Sequence, residues 1–375
     1  MSERKLKAWE EAGLIDSAAA ARIREWEASN SRPLGLWALI GLGALAIGLG
    51  LVSVVAANWD AIPGEARLGI HFVMMLALAG FMLWQRARSS VTNSHFQDAM
   101  LFVAGALGLT FFGHIGQVYQ TSSPLWQPLA LWLLLFSPLF LGYGRGWLAA
   151  TAWMGVLCFA AYQHWSWYLG TNPDPEDANF PVLYMGIMSS VPAFAMAGAA
   201  FMRSKSARPD FWKRLEQLGL TLTVWGVSGF QLVYVLGGAQ SKSAGVQALC
   251  ILITAVAVWF ARPNASGKAT AGVLAAGALT LIAATAIGSS SLGGGILFMP
   301  FWGAIAAAAL SAGWRIVFQV AVAVLAIRLI ILSFELASDL LGSGLGLILA
   351  GIATLGIAFM AVRVSKRYAP KEDVA

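Results

Sequence analysis

Charge is what this chain has least of: 24 basic and 18 acidic side chains make up 11% of its 375 residues, against about 25% in an ordinary soluble domain. With 58% of its residues hydrophobic, a water-soluble globular fold is excluded, and the chain belongs in lipid. Cysteine is almost as scarce. Cys158 and Cys250 fall inside separate apolar runs, which rules out a disulfide framework or a thiolate metal site by spacing and leaves both as core residues. The stronger catalytic signatures are missing as well: there is no H-E-x-x-H, G-x-S-x-G, Walker A or C-x-x-C. The glycines at Gly41, Gly43 and Gly48 miss dinucleotide spacing and lie in an apolar run, and the acidic stretch 172–177 lacks the ligand spacing and central glycine of a calcium loop. No metal and no cofactor is expected, and nothing argues for an enzyme. The net charge of +6 is spread over short connectors, so nucleic acid is not expected as a partner.

What is present is long apolar runs, and the expectation is an all-α polytopic membrane protein. Sixteen tryptophans and forty glycines fit that class, since indoles anchor at headgroup level and glycine lets helices approach. Residues 1–33 are the one soluble-looking piece. Leu6, Trp9, Leu14, Ile15, Ala19, Ile23 and Trp26 are spaced as on two short amphipathic helices broken at Gly13, the second capped by Asp16 or Ser17. Such a hairpin is too small for a core of its own, so it must rest on the membrane domain, on lipid or on a protein partner.

From Leu34 onward about twelve spans are expected, with ten or eleven as alternatives: 34–57, 66–84, 98–114, 125–142, 147–162, 181–202, 215–236, 245–261, 270–288, 296–312, 315–334 and 344–362. The first run follows a charged segment and is too long for a signal peptide, so it should remain in the membrane. The basic residues test the count. With the N-terminus in the cytoplasm, all but Arg67, Lys242 and Arg328 fall on the inner side, where Lys and Arg accumulate. Both termini are therefore expected inside. The longest basic linker, 203–214, divides the membrane part into halves 34–202 and 215–362, followed by a cytosolic tail at 363–375. Small residues four apart in the ninth span (Gly272, Ala276, Thr280, Ala284, Gly288) and the twelfth (Gly342, Gly346, Ala350, Thr354, Ala358) predict closely packed ridges.

Polar side chains within apolar runs are costly, so their positions carry information. The string from Phe111 to Trp126 is the densest break, with His114, Gln117, Tyr119 and Gln120 at the outer end of the third span. Asn58 and Trp59 end the first span, Arg67 and His71 open the second, Gln163 and His164 end the fifth, Gln231 and Tyr234 end the seventh, and Arg328 and Glu335 lie toward the outer end of the eleventh. For His71, His114 and His164 three readings stand: interfacial hydrogen bonding, a hydrated vestibule, or a metal site assembled by the fold. Arg328 either pairs with a carboxylate, snorkels outward, or touches substrate; Glu335 returns to nearly its own helix face.

Three stretches form a set: Trp9-x-x-x-Gly13-Leu14-Ile15, then Ala56-Ala57-Asn58-Trp59-Asp60-x-Ile62-Pro63 with Arg67 after it, and Gly113-x-x-Gly116-Gln117-x-Tyr119-Gln120. Over about the first 145 residues the chain resembles a family of bacterial predicted membrane proteins, domain of unknown function 2157. The resemblance implies a bacterial inner-membrane location and a cytoplasmic N-terminal hairpin, and marks Asn58, Trp59, Gln117 and Tyr119 as motif positions. It implies no reaction or substrate. The leading expectation is an outward-facing polar vestibule of Asn58, Trp59, Arg67, His71, His114, Gln117, Tyr119, Gln120, Arg328 and Glu335, handling a small molecule or lipid-linked intermediate. A membrane scaffold docking partners through the hairpin, and an outer-leaflet enzyme with His114 as base, are the alternatives.

Overall fold

The computed structural model describes residues 9–30, 61–88, 94–170, 179–237, 244–287, 291–336 and 344–370, with a few single positions between 6 and 53. Asn58, Trp59, most of the expected span 34–57, the acidic stretch 172–177, Gly288 and Gly342 lie outside the described residues. The named helices are α1 (Ser17–Asn30), α2 (Gly64–Arg88), α3 (Ser94–Val118), α4 (Trp126–Tyr143), α5 (Trp147–Leu169) and α6 (Asn179–Lys205). They continue with α7 (Pro209–Gly237), α8 (Ala244–Ala261), α9 (Ala265–Ile287), α10 (Ser291–Ala312), α11 (Arg315–Leu336) and α12 (Gly344–Tyr368). The chain divides into two compact units, Met1–Arg67 and Leu68–Ala375.

In the first unit a helical turn at 9–11 ends at Gly13, whose φ of +66° suits a residue without Cβ. Asp16 then starts α1, its Oδ1 accepting the Ala19 N–H at 2.5 Å. Glu10 and Arg24 stand 3.8 Å apart across the turn. Leu6 and Ala20 are buried, whereas Leu14 and Trp26 are 71% and 65% exposed.

Among the described residues, eight helices are long and apolar enough to cross a membrane: Gly64–Gln85, Phe96–Val118, Trp126–Tyr143, Leu183–Lys205, Ala244–Ala261, Ala265–Ala286, Arg315–Glu335 and Ile348–Tyr368. This is an integral multi-pass membrane protein. Expected spans 147–162, 215–236 and 296–312 are occupied by the helices α5, α7 and α10. Helix α7 packs against α5, α6, α9 and α10, and its Glu216, Thr223 and Gln231 are buried in protein rather than set against lipid.

The tightest pairing is α6 with α7. A methyl group at Gly219 would stand 2.8 Å from the Pro192 carbonyl oxygen, and one at Gly226 would stand 2.8 Å from the Met188 oxygen. Pro192 has no N–H for the Met188 carbonyl four residues earlier. Gly226 lies against that freed group. Behind this seam, Val227, Phe230, Ile251, Leu274, Leu281 and Phe301 form one apolar core, while Leu101, Trp132, Phe140, Met154, Phe211 and Leu215 form a second across α3 to α7.

The expected small-residue ridges did not become the closest contacts. In α9, Thr280 and Ala284 are buried, but a methyl group at Gly272 would meet no neighbouring element within 4 Å. Neighbours surround α9 over a broad arc, so no single stripe is the seam. In α12 Ala350 is buried and Ala358 exposed. Its face toward α11 carries Ala353, Gly356, Ile357 and Met360 along an apolar gap of about 530 Å³.

Candidate functional site

Helix α2 turns a single face inward. His71 is its only buried residue among those described, and Met75, Leu78, Met82 and Gln85, at helical spacing from it, are half-buried while their neighbours are exposed. No Cα of α2 comes within 8 Å of another named helix. Long side chains make the contact instead.

At one end of this seam the imidazoles of His71 and His114 meet, Nδ1 to Nδ1 at 2.9 Å, with ring planes at 84°. His71 is 3% exposed, and its Nε2 lies 2.9 Å from the Leu107 carbonyl oxygen on α3. A carbonyl only accepts, so His71 carries a proton on Nε2. Between the two Nδ1 atoms one ring donates and the other accepts. Only one proton fits between the two nitrogens, because two N–H groups facing each other would leave neither bond made. Phe111 closes one side, edge-on to His71 with centroids 5.3 Å apart. The Thr110 hydroxyl donates back to the carbonyls of Ala106 and Leu107 beneath the pair.

The other expected site residues are distributed as follows. Arg67 donates from Nε to the Ile62 carbonyl at 2.7 Å. Gln117, Tyr119 and Gln120 are exposed at the end of α3, where Gln120 takes a positive φ of 49° and Thr121 N–H closes the helix on Gly116 O. His164 does not end its helix, since α5 runs on to Leu169; it packs edge-on against Trp126 at 4.8 Å. Arg328 and Glu335 pair directly on α11, 3.1 and 3.4 Å apart through two N–H groups and both carboxylate oxygens. Of the expected vestibule residues that are described, the structure joins His71 to His114 and Arg328 to Glu335. Among the described residues no group of three His, Cys, Asp or Glu gathers as a metal would need.

Two polar centres escaped the sequence reading, both where the arginines gather. Asp98, 3% exposed, accepts the Arg145 N–H at 2.9 Å and the Ala149 N–H at 3.4 Å, so it caps α5 from the neighbouring helix α3. The cap residue is Gly146, and a Cβ there would collide with the Asp98 carboxylate. Glu216 on α7, also 3% exposed, is clamped between Arg203 of α6, at 3.0 Å, and Arg262 at the end of α8. Arg208, in the α6–α7 connector, donates to the Gly144 and Leu141 carbonyls at 2.5 and 2.6 Å. Burial first, and the Arg145 charge second, hold Arg208 below the usual arginine value. The signal that was available is an acid just past a basic linker: Glu216 follows Lys213 and Arg214 at the mouth of a span.

Residues 7–149 match the family of predicted membrane proteins DUF2157. The matched segment contains both histidines, the Gly113–Gln120 corner and helices α2 to α4. No curated protein and no solved structure matches the chain.

Proposed function

We propose that the protein handles a small polar molecule, or the polar head of a lipid-linked intermediate, in a vestibule on the outer face of a bacterial inner membrane, with both termini in the cytoplasm. The observation that carries this reading is the contact at 2.9 Å between buried His71 and half-buried His114 on two membrane helices. A polar pair at that depth is costly to keep and marks a functional pathway by default. One proton lies between the two rings, and exposed Gln117, Tyr119 and Gln120 follow His114 at the end of α3, so groups able to exchange hydrogen bonds with a polar ligand gather there. Asn58, Trp59 and Arg67 belong to this reading as motif positions of the sequence. Arg328 with Glu335 supplies a second, self-neutralised polar element.

Sidedness comes first in the test. In a cysteine-free background, Tyr119→Cys should react with a membrane-impermeant maleimide added to intact cells, and Lys205→Cys only after permeabilisation. The reverse pattern sinks the outward vestibule. His71→Ala and His114→Ala proteins that still fold should fail to replace the wild type in cells lacking it; full replacement by either counts against a role for the pair.

A second reading, a scaffold docking a protein partner, is favoured by the exposure of Leu14 and Trp26 in the first unit. Deleting residues 1–30 separates the two. Loss of a co-purifying partner with the spans intact supports the scaffold, and retained function supports the vestibule.

A further inference from the structure

The α2–α3 seam does not end at the histidines. Toward the arginine-rich end it widens into a cavity of about 600 Å³, within the range of roughly 300–1,000 Å³ typical of small-molecule sites. Its walls are two-sided in chemistry. Met75, Met82, Met100 and Leu139 make an apolar floor, and Arg145 and Arg208 stand at the polar end.

We propose that this cavity holds one anionic phospholipid, its phosphate between Arg145 and Arg208 and an acyl chain along the methionine floor. Three observations converge on that occupant. The first is charge: no carboxylate lines the cavity, and the two buried acids of the described residues are already engaged, Asp98 by the Arg145 and Ala149 N–H groups and Glu216 by Arg203 and Arg262. The cavity end thus carries two guanidinium charges without a counter-ion among the described residues. The second is geometry. Arg208 is fixed by two carbonyl bonds from its Nη atoms, which leaves the remaining donors of its planar fork in a set direction, a preorganised anion site. Burial and Arg145 both press against its charge, and a phosphate relieves the second of these. The third is the floor. Methionine is flexible and polarisable and adapts to chains of different shape, and three of them line one gap here. A free phosphate would use the arginines and leave that floor against water. A zwitterionic lipid would fill the floor and bring its own cation to the arginines. Basic pockets between membrane helices are where anionic headgroups dock.

The experiment uses the full chain, purified in detergent and titrated with phosphatidylglycerol while bound lipid is counted by native mass spectrometry. One tightly held phosphatidylglycerol is expected, with phosphatidylcholine failing to replace it and inorganic phosphate failing to compete. Arg145→Gln should weaken binding roughly fivefold, the effect of one basic group at a charged lipid surface. Met82→Trp keeps both arginines, fills the gap and should abolish the bound lipid. It guards against a fold defect in the arginine variant, and unchanged thermal unfolding in detergent qualifies each protein for comparison. Equal retention of phosphatidylcholine overturns the headgroup assignment. Competition by inorganic phosphate overturns the lipid in favour of a free anion. Wild-type binding by both variants overturns the site.

Discussion

Helices α6 and α7 touch backbone to backbone, whereas α2 and α3 face each other across imidazoles and methionines. The difference lies in which residues sit at the seam. In α7, Gly219 and Gly226 face the Pro192 and Met188 carbonyls, so that no side chain separates the two axes. In α2, Gly69 and Gly80 face open space, and the inward stripe is built from His71, Met75, Leu78, Met82 and Gln85. Between membrane helices the packing gain comes from close approach, because lipid tails compete equally well for apolar surface. A seam made of long side chains forgoes part of that gain and leaves the cavity of about 600 Å³. The closed region holds the fold and the open one is where a ligand has room.

The comparison is broken most severely at Glu216. Its carboxylate is buried between Arg203 and Arg262, closing the arginine end of α6, α7 and α8. Glu216→Ala leaves two cations in a site built for three charges, and the expected loss is about 3–5 kcal/mol, read as a lower unfolding midpoint in detergent. An unchanged midpoint would mean that water reaches this site freely. The glycines give the next effect, and it changes sign between the regions. Gly226→Ala forces a methyl against the Met188 and Ser189 backbone and should cost about 1–3 kcal/mol. Gly80→Ala meets nothing within 4 Å and gains helix propensity, so it should be neutral or stabilising by up to about 1 kcal/mol. Two variants of the same sign would erase the contrast.

Most of the helices were legible because hydropathy reports where lipid must be covered, and α2 to α12 all lie over expected spans. The tight seam was less so. Gly272 and Ala276 repeat at four and look like a contact ridge, while Gly219 and Gly226 are seven apart in the more polar α7; spacing alone does not tell which neighbour will be there. The histidine pair was within reach. His71 lies 17 residues before the end of α2 and His114 lies 20 after the start of α3, so an antiparallel turn brings them to similar depth, about 25–30 Å from it at 1.5 Å per residue. The eleventh span was plainer still, since two turns return Glu335 to the Arg328 face. Asp98 was hidden for another reason. The N-terminus it caps belongs to a helix 49 residues on, counted to Trp147, and capping between helices leaves no local pattern.

The smallest expected effect tests whether the closed region is dry. Gln231 on α7 is 1% exposed, and neither its Oε1 nor its Nε2 finds a partner among the described residues. A buried amide left unpaired costs about 1–3 kcal/mol, and an apolar side chain of similar size removes that cost. Gln231→Leu should therefore fold with an unfolding midpoint equal to the wild type or slightly above it. A clear fall would reveal a water or a ligand bonded to Gln231, placing a second polar site inside the region of closest packing. The division of labour between the two halves of the comparison would then have to be redrawn around α7, because the helix that closes the core would also be holding something in it.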